Sequence, residues 1–518
     1  MSTIRFILFF IPFSYIPFHT QAQKEATNWF FGEKAGLIFS SGTPVAVNND
    51  YWYTYNACAT QSDPKTGELM FYTNSEQVWD KTGQIMLDGT GLNGNSTITQ
   101  ACLIIPNPGD EHQYYILTLA NLSLYNTYDN TLSYSLVDMR LSDRRGNIVL
   151  SQKNQFIDSG LSEKLTAIPH KNGHDFWIIT HQWDGNIFLI YLLTASGLKK
   201  VNEIPIGSDY TFSYSNSSNI GYMQASPNGT KLACAVFKTA QNEPSSHPLD
   251  LFDFDNQSGL LSNYLNLGLL SRQYGVCFSP DNTKLYVTHQ TITSDSLHID
   301  YVRQYDLGAG HNQAIINSGM SVLVGNSSTN IPEVKIIKPT TSTNATFYAF
   351  SIQNAPNGKI YGTTFGGFCK VEDCGEEHPH RFIVINRPNA KGFECDIQLQ
   401  TIDLRQGSIT NAAGLPNFLQ SVFNNLQPTP DSPITACPNV SISVYPNPVQ
   451  TDFYVDYKGN CFLPYRLRLV SLQGKILLET TIQSPYSPAI SMGNLSTGEY
   501  FIELLTNPKR VVVKIIKQ

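Results

Sequence analysis

Charge is scarce in this 518-residue chain: Asp, Glu, Lys and Arg make up 14% of it, against about a quarter in an average soluble domain. The 34 basic side chains are scattered, and no basic run exceeds a pair such as Arg144 and Arg145 or Lys199 and Lys200. With a net charge of −7, this excludes a nucleic-acid backbone as partner, because phosphate binding draws on clustered Lys and Arg. Long apolar runs are missing beyond the first residues. The nearest approach, 177–193, is interrupted by His181, Gln182, Asp184 and Asn186 as a hairpin would interrupt it. No later segment supplies the roughly 20 apolar residues of a membrane helix. Also missing are a Gly-x-Ser-x-Gly elbow, a phosphate loop, a His-Glu-x-x-His helix and a calcium loop.

Aromatics and turn formers are plentiful: 12% aromatic, 27 Tyr, 28 Phe, 36 Gly and 28 Pro. Such a composition suits many short strands joined by turns. The chain opens with a processing signal: Arg5, an apolar stretch over 6–18 broken by Pro12 and Pro17, and Thr20-Gln21-Ala22 as a small-residue cleavage site. That predicts a signal peptide over 1–22 and an exported mature chain. The nine cysteines, all in the mature part, are Cys58, Cys102, Cys234, Cys277, Cys369, Cys374, Cys395, Cys437 and Cys461. Export permits disulfides, but an odd count leaves at least one thiol free or paired between chains. Cys234 and Cys277 sit in apolar strand patterns and read as buried small hydrophobes.

The informative pattern is a repeated hairpin. Ser226-Pro227-Asn228-Gly229-Thr230-Lys231-Leu232, Ser279-Pro280-Asp281-Asn282-Thr283-Lys284-Leu285-Tyr286 and Ala355-Pro356-Asn357-Gly358-Lys359-Ile360-Tyr361 are its clear copies. Weaker ones stand at Asp63-Pro64-Lys65-Thr66-Gly67, Pro106-Asn107-Pro108-Gly109 and Pro169-His170-Lys171-Asn172-Gly173. Pro fixes φ early in the turn, and Asn-Gly or Asp-Asn accepts the positive φ of a tight reversal. The spacing fits a four-stranded unit plus loops. Such sheets cannot bury both faces alone, so they pack side by side and close into a ring. The prediction is an all-β protein: a β-propeller of about seven blades over 23–425, a Pro-rich linker over 426–437, and a small β-sandwich over 438–518. The seventh blade is expected to close by pairing the N-terminal strand around 29–39 with strands between 381 and 404. An insertion is expected in the Ser/Thr/Asn-rich stretch 325–346.

The clear turns resemble the repeats of bacterial Tol-associated and WD40-like propellers. Trp29-Phe30-Phe31-Gly32, Phe71-Tyr72-Thr73-Asn74, Glu163-Lys164-Leu165-Thr166, Tyr274-Gly275-Val276-Cys277-Phe278 and Gly414-Leu415-Pro416-Asn417-Phe418 resemble a propeller family on the surface of gliding bacteria. That resemblance implies extracellular exposure and no particular reaction. In the tail, Tyr445-Pro446-Asn447-Pro448, Leu472-Gln473-Gly474-Lys475, Leu495-Ser496-Thr497-Gly498-Glu499-Tyr500 and the closing Val513-Lys514-Ile515-Ile516-Lys517 resemble the C-terminal sorting domain of the type IX secretion system. It implies that the secretion machinery is a partner, and that the tail is cut off in the linker or attached to surface lipopolysaccharide. Cys437 and Cys461 are candidates for a disulfide in the sandwich.

Several clusters carry residue types suited to chemistry. Cys369, Cys374, His378 and His380, with Glu376 and Glu377 between them, offer thiolate and imidazole ligands for zinc. Export favours a plainer alternative, a loop in which two of Cys369, Cys374 and Cys395 are bridged. His170, His174 and His181 are expected to be exposed around a hairpin. Asp63-Pro64-Lys65-Thr66-Gly67 resembles the Asp box of sialidase propellers but reads as a turn. Ser196-Gly197-Leu198-Lys199 also lies in a turn. Asp253 and Asp255 share one strand face and are expected at a solvated blade edge. No catalytic residue and no cofactor is assigned. The expected function is a surface-exposed binding or scaffold protein, with glycan or protein bound at a central funnel. The alternative is an extracellular hydrolase or lyase acting on polysaccharide.

Overall fold

The computed structural model describes residues 24–40, 42–121, 130–210, 220–237, 246–292, 298–325, 347–366, 381–402, 404, 414–428, 441–458, 465–472, 475–482, 489–505 and 510–518. The expected signal peptide, most of the 325–346 stretch, nearly all of the expected linker, Cys369, Cys374, His378, His380, Cys437, Cys461 and Gly474 lie outside them. Up to Pro428 the described residues, positions 41–43 aside, form one compact unit; those beyond 429 form a second.

The first unit is a ring of seven blades. The first has three antiparallel strands, Asn28–Phe31, Glu33–Ile38 and Val45–Tyr53; the second has four, Ala59–Ser62, Leu69–Thr73, Gln77–Asp80 and Ile85–Thr90. Cys102–Asn107, Asp110–Ala120, Asn130–Asp138 and Asn147–Ile148 make the third, and Gln155–Pro169, Phe176–Gln182, Gly185–Thr194 and Gly197–Tyr210 the fourth. These two share the long strand Gln155–Pro169, whose first half pairs with Asn130–Asp138 and whose second half pairs with Phe176–Gln182. The fifth comprises Met223–Ala225, Lys231–Cys234, Ser246–Asp255 and Leu260–Ser271. The sixth comprises Val276–Phe278, Lys284–Ile292, His298–Asp306 and Met320–Gly325. Phe347–Asn354, Ile360–Gly366, Arg381–Ile385 and Ile397–Thr401 complete the seventh. Buried Leu, Ile, Val, Phe and Trp fill the seams between neighbouring blades, the contact that no single sheet can supply for itself.

Each repeated hairpin follows the innermost strand of its blade. Gly229, Asn282 and Gly358 take the positive φ (69, 65 and 74°) that the reversal requires. Asp63 behaves as a turn residue, accepting from the backbone N–H groups of Lys65 and Thr66 at 2.9 and 2.7 Å. After the turn, a lysine reaches across to the next strand in three consecutive blades: Lys231 to Asp253 (2.6 Å), Lys284 to Asp306 (3.2 Å) and Lys359 to Asn386 (2.9 Å). Asp253 therefore lies on an inner strand of its sheet, bound to Lys231 and Asn263, and not at a blade edge.

Ring closure differs from expectation. The N-terminal strands pair with one another and not with 381–404; side chains make the seam instead. Phe31 meets Phe382 edge-on at 5.9 Å, and Trp29 and Phe39 meet Tyr361 at 6.2 and 5.4 Å. Asn28–Phe31 runs opposite to the innermost strands of the other blades: Glu25 lies against Ser62 at the far end of its neighbour, and Gly32 against Thr54 at the near end. Among the described residues the first blade thus has no innermost strand of its own.

The second unit holds two antiparallel sheets, Ser441–Tyr445, Asp452–Lys458 and Ile490–Ser491 against Tyr465–Ser471, Ile476–Ile482, Gly498–Leu505 and Arg510–Lys517. Phe453, Val455, Leu467 and Leu469 point into its core. On Gly498–Leu505 the inward set is Tyr500, Ile502 and Leu504.

Candidate functional site

The six complete innermost strands all run from one face of the ring, where they start, to the other, where the Pro/Asn/Gly turns lie. The segment 414–428 follows the same course through the middle. At the strand-start face Gly414 lies so close to Asn56 that a Cβ would come within 1.6 Å of its carbonyl oxygen. One turn deeper, the Asn417 N–H donates to Cys58 O at 2.8 Å, and its Nδ2 donates to Cys102 O and Leu165 O, both at 3.2 Å. One asparagine therefore ties together the second, third and fourth blades. Phe418 packs on Trp29 of the first blade at 6.0 Å. Gln420 donates to Gln353 of the seventh blade at 3.3 Å, and Gln353 also accepts from Gln224 of the fifth at 3.2 Å. At the turn face the Asn425 N–H donates to Pro280 O of the sixth blade at 2.8 Å. Gly358 sits against Gln427 and Pro428, where a Cβ would come within 2.4 Å of backbone atoms.

The expected open funnel is therefore filled by the chain itself. Gln100 spans the hub as well, exchanging two hydrogen bonds with Met223 (3.1 and 2.8 Å). Near it, Glu163 accepts from the Thr99 N–H at 2.9 Å and the Thr99 hydroxyl at 2.6 Å, and burial pushes its carboxyl up. In the sequence Gly414-Leu415-Pro416-Asn417-Phe418 carries a family resemblance only, and no local pattern gives its position in the hub.

A second polar cluster lies between the fourth and fifth blades. Lys164 is buried, donating to Gly221 O at 2.8 Å and Ala235 O at 2.9 Å, with its Nζ 5.6 Å from the Tyr210 ring. Burial lowers its amine to about 8. His181 stacks on Tyr210 at 4.1 Å, and burial lowers it to about 3. His181 is thus interior, against the expectation of exposure around the hairpin, whereas His170 is half-buried and His174 exposed. Asp250 accepts from the Ser208 and Tyr264 hydroxyls, and burial raises its carboxyl. These groups hold strands in place: the Lys164 bonds join the backbone just before Met223–Ala225 to that just after its partner strand Lys231–Cys234.

Cys58, Cys102, Cys234, Cys277 and Cys395 are buried free thiols. That takes Cys395 out of any disulfide with Cys369 or Cys374. Among the described residues no group of three His, Cys, Asp or Glu side chains is placed to hold a metal ion, and no helix is long and apolar enough to cross a membrane.

In the tail the Tyr-Pro-Asn-Pro motif locks the last strand. The Asn447 Nδ2 donates to Lys514 O at 2.9 Å, and its Oδ1 accepts from the Ile516 N–H at 2.9 Å. Val449 adds a parallel bridge to Lys517. Tyr445 is exposed and stacks on Tyr454 at 5.8 Å; Pro446 and Pro448 are exposed beside it. Gly498 opens the strand on which Tyr500 turns into the core, its hydroxyl donating to Ser496 O at 2.8 Å.

Among solved structures, the chain is similar to a Bacteroides uniformis protein described provisionally as a 6-phosphogluconolactonase, with 12% identity, 73% of this chain and 98% of that one covered, and a TM-score of 0.41. It is also similar to a protein from Lactobacillus plantarum, with 10% identity, 82% and 95% covered, and a TM-score of 0.36. No curated protein sequence matches the chain significantly. Residues 443–518 match the family model of the secretion system C-terminal sorting domain. The chain is accordingly cargo of the type IX secretion system, exported to the cell surface or the extracellular space.

Proposed function

We propose that this exported protein is a binder or scaffold, its propeller a rigid body that offers its faces, and not an axial cavity, to a glycan or protein. The observation that carries this reading is the filled hub. Where a catalytic propeller would gather convergent reactive groups around a water-filled axis, this one has Leu415, Phe418 and Phe423 buried, and Asn417 and Gln100 bound to the chain's own backbone. Groups so engaged are fixed in place and satisfied. What faces solvent is then the loop surface on either side of the ring.

The test is a glycan and peptide array probed with the mature chain, run beside a screen for release of reducing ends from soluble polysaccharides. Saturable binding without cleavage is the expected result. Turnover of any polysaccharide would replace the binder with the hydrolase or lyase alternative.

A further inference from the structure

We infer that Tyr53 and Tyr55 form a binding corner for neutral carbohydrate on the strand-start face; this rests on the binder reading and names its ligand class and place. Most of the large tyrosines are interior: Tyr72, Tyr191, Tyr210, Tyr286, Tyr305 and Tyr361 are all under 3% exposed, whereas Tyr53 is 42% and Tyr55 45% exposed. Their rings stand 5.5 Å apart and 86° to one another, a right-angled corner open to water. Strand alternation explains the outward turn of Tyr53, since Trp52 beside it points inward, 1% exposed and packed on Tyr72 and Trp79.

The support beneath the corner is rigid. Tyr53 pairs in register with Glu33, and its carbonyl accepts from Asn74 Nδ2 at 3.2 Å. The Thr54 N–H donates to Gly32 O at 3.0 Å, the Asn56 N–H to Ser96 O at 2.8 Å, and Asn56 Nδ2 to Thr97 O at 2.7 Å. Two aromatic faces held this way lose little entropy on binding.

A pyranose presents one face of C–H groups that packs on an aromatic ring, and a second ring at right angles meets its edge. Asn56, Asn74, Asn95 and Thr97 beside the corner bond to one another and to the backbone, so they brace it, and the sugar contact rests on the two rings. Glu33, exposed at the foot of Tyr53, disfavours an acidic sugar. The Tyr53 hydroxyl is pushed up to about 12 by partial burial, then by its hydrogen bond with Tyr55 and by Glu33, so it stays neutral.

The mature chain is run in native gels containing laminarin, xylan or galactomannan, with alginate as the acidic probe, and reducing ends are assayed in parallel. Retardation by at least one neutral polysaccharide is expected. Tyr53→Ala with Tyr55→Ala should weaken it by about tenfold or more, while Tyr53→Phe with Tyr55→Phe retains it, all with unchanged melting. The inference is overturned by retardation that survives the alanine pair, by retardation in alginate alone, or by none in any gel. Tyrosine-dependent capture of peptides in place of polysaccharide overturns the ligand class. Reducing-end release sinks the binder reading on its own, leaving the retardation arms to judge the corner.

Discussion

His181 and His289 lie inside the propeller, and burial holds each imidazole neutral with its pKa lowered to about 3. His289 stacks on Tyr301 at 4.7 Å with Arg303 nearby, which lowers it further. In the unfolded chain a histidine titrates near about 6.5. Below that pH the unfolded state takes up protons that the native state refuses, so stability is full above about 6.5 and is lost as pH falls toward 3. Melting followed by intrinsic fluorescence should show the midpoint falling between pH 6.5 and 4.5, above the carboxylate range. The slope should be shallower in His181→Gln with His289→Gln, even though that variant melts lower at neutral pH. An unchanged slope would mean that neither ring is shielded as described. At the same scale Lys164 and the buried cysteines turn out to be interior fixtures. Cys234 and Cys277 were readable as such from their apolar neighbours. The interior place of Lys164 and His181 was not, because a polar residue in an alternating strand carries no sign of whether its partners are water or carbonyls.

At the level of elements, the hairpins and the hub segment differ in how they are written. A hairpin is specified by adjacent residues, and Pro280-Asp281-Asn282 places its positive φ where its own sequence demands. The hub segment is specified by distant ones. Asn417→Ala removes the donor to Cys102 O and Leu165 O and leaves two buried carbonyls unpaired, at about 2–4 kcal/mol in all. Urea unfolding should register that loss, and Asn417→Asp, which cannot donate twice, should resemble it. Gly414→Val has no room against Asn56, and no soluble, cooperatively melting propeller is expected. In the sandwich, Asn447→Ala frees the Ile516 N–H and Lys514 carbonyl. Hydrogen exchange at Ile516 should then rise while the inner strands Tyr465–Ser471 and Gly498–Leu505 stay protected.

For the whole molecule, closure depends on where the chain is cut. Because 414–428 touches most of the blades, a chain ending at 428 should melt cooperatively, whereas one ending at 413 should lose that transition or melt far lower; calorimetry of the two decides. Equal melting would show that the seam between Phe31 and Phe382 closes the ring unaided. Residues 426–428, read from composition as the start of a linker, pack at Gly358, so separation of the tail is expected beyond them. Mass spectrometry of the secreted form should place any processed end after Pro428.

The all-β class, the repeat and the sorting motifs could be read from the residues alone, because each is local: turn chemistry within a few positions, apolar alternation along one strand, a short motif in order. The seventh blade was countable, but the way the ring shuts was not. Asn417 stands 315 positions from Cys102 and 252 from Leu165, and no periodicity links residues so far apart. Only packing in three dimensions decided that the hub holds the chain's own segment, because an interior position is defined by what surrounds it from every blade at once.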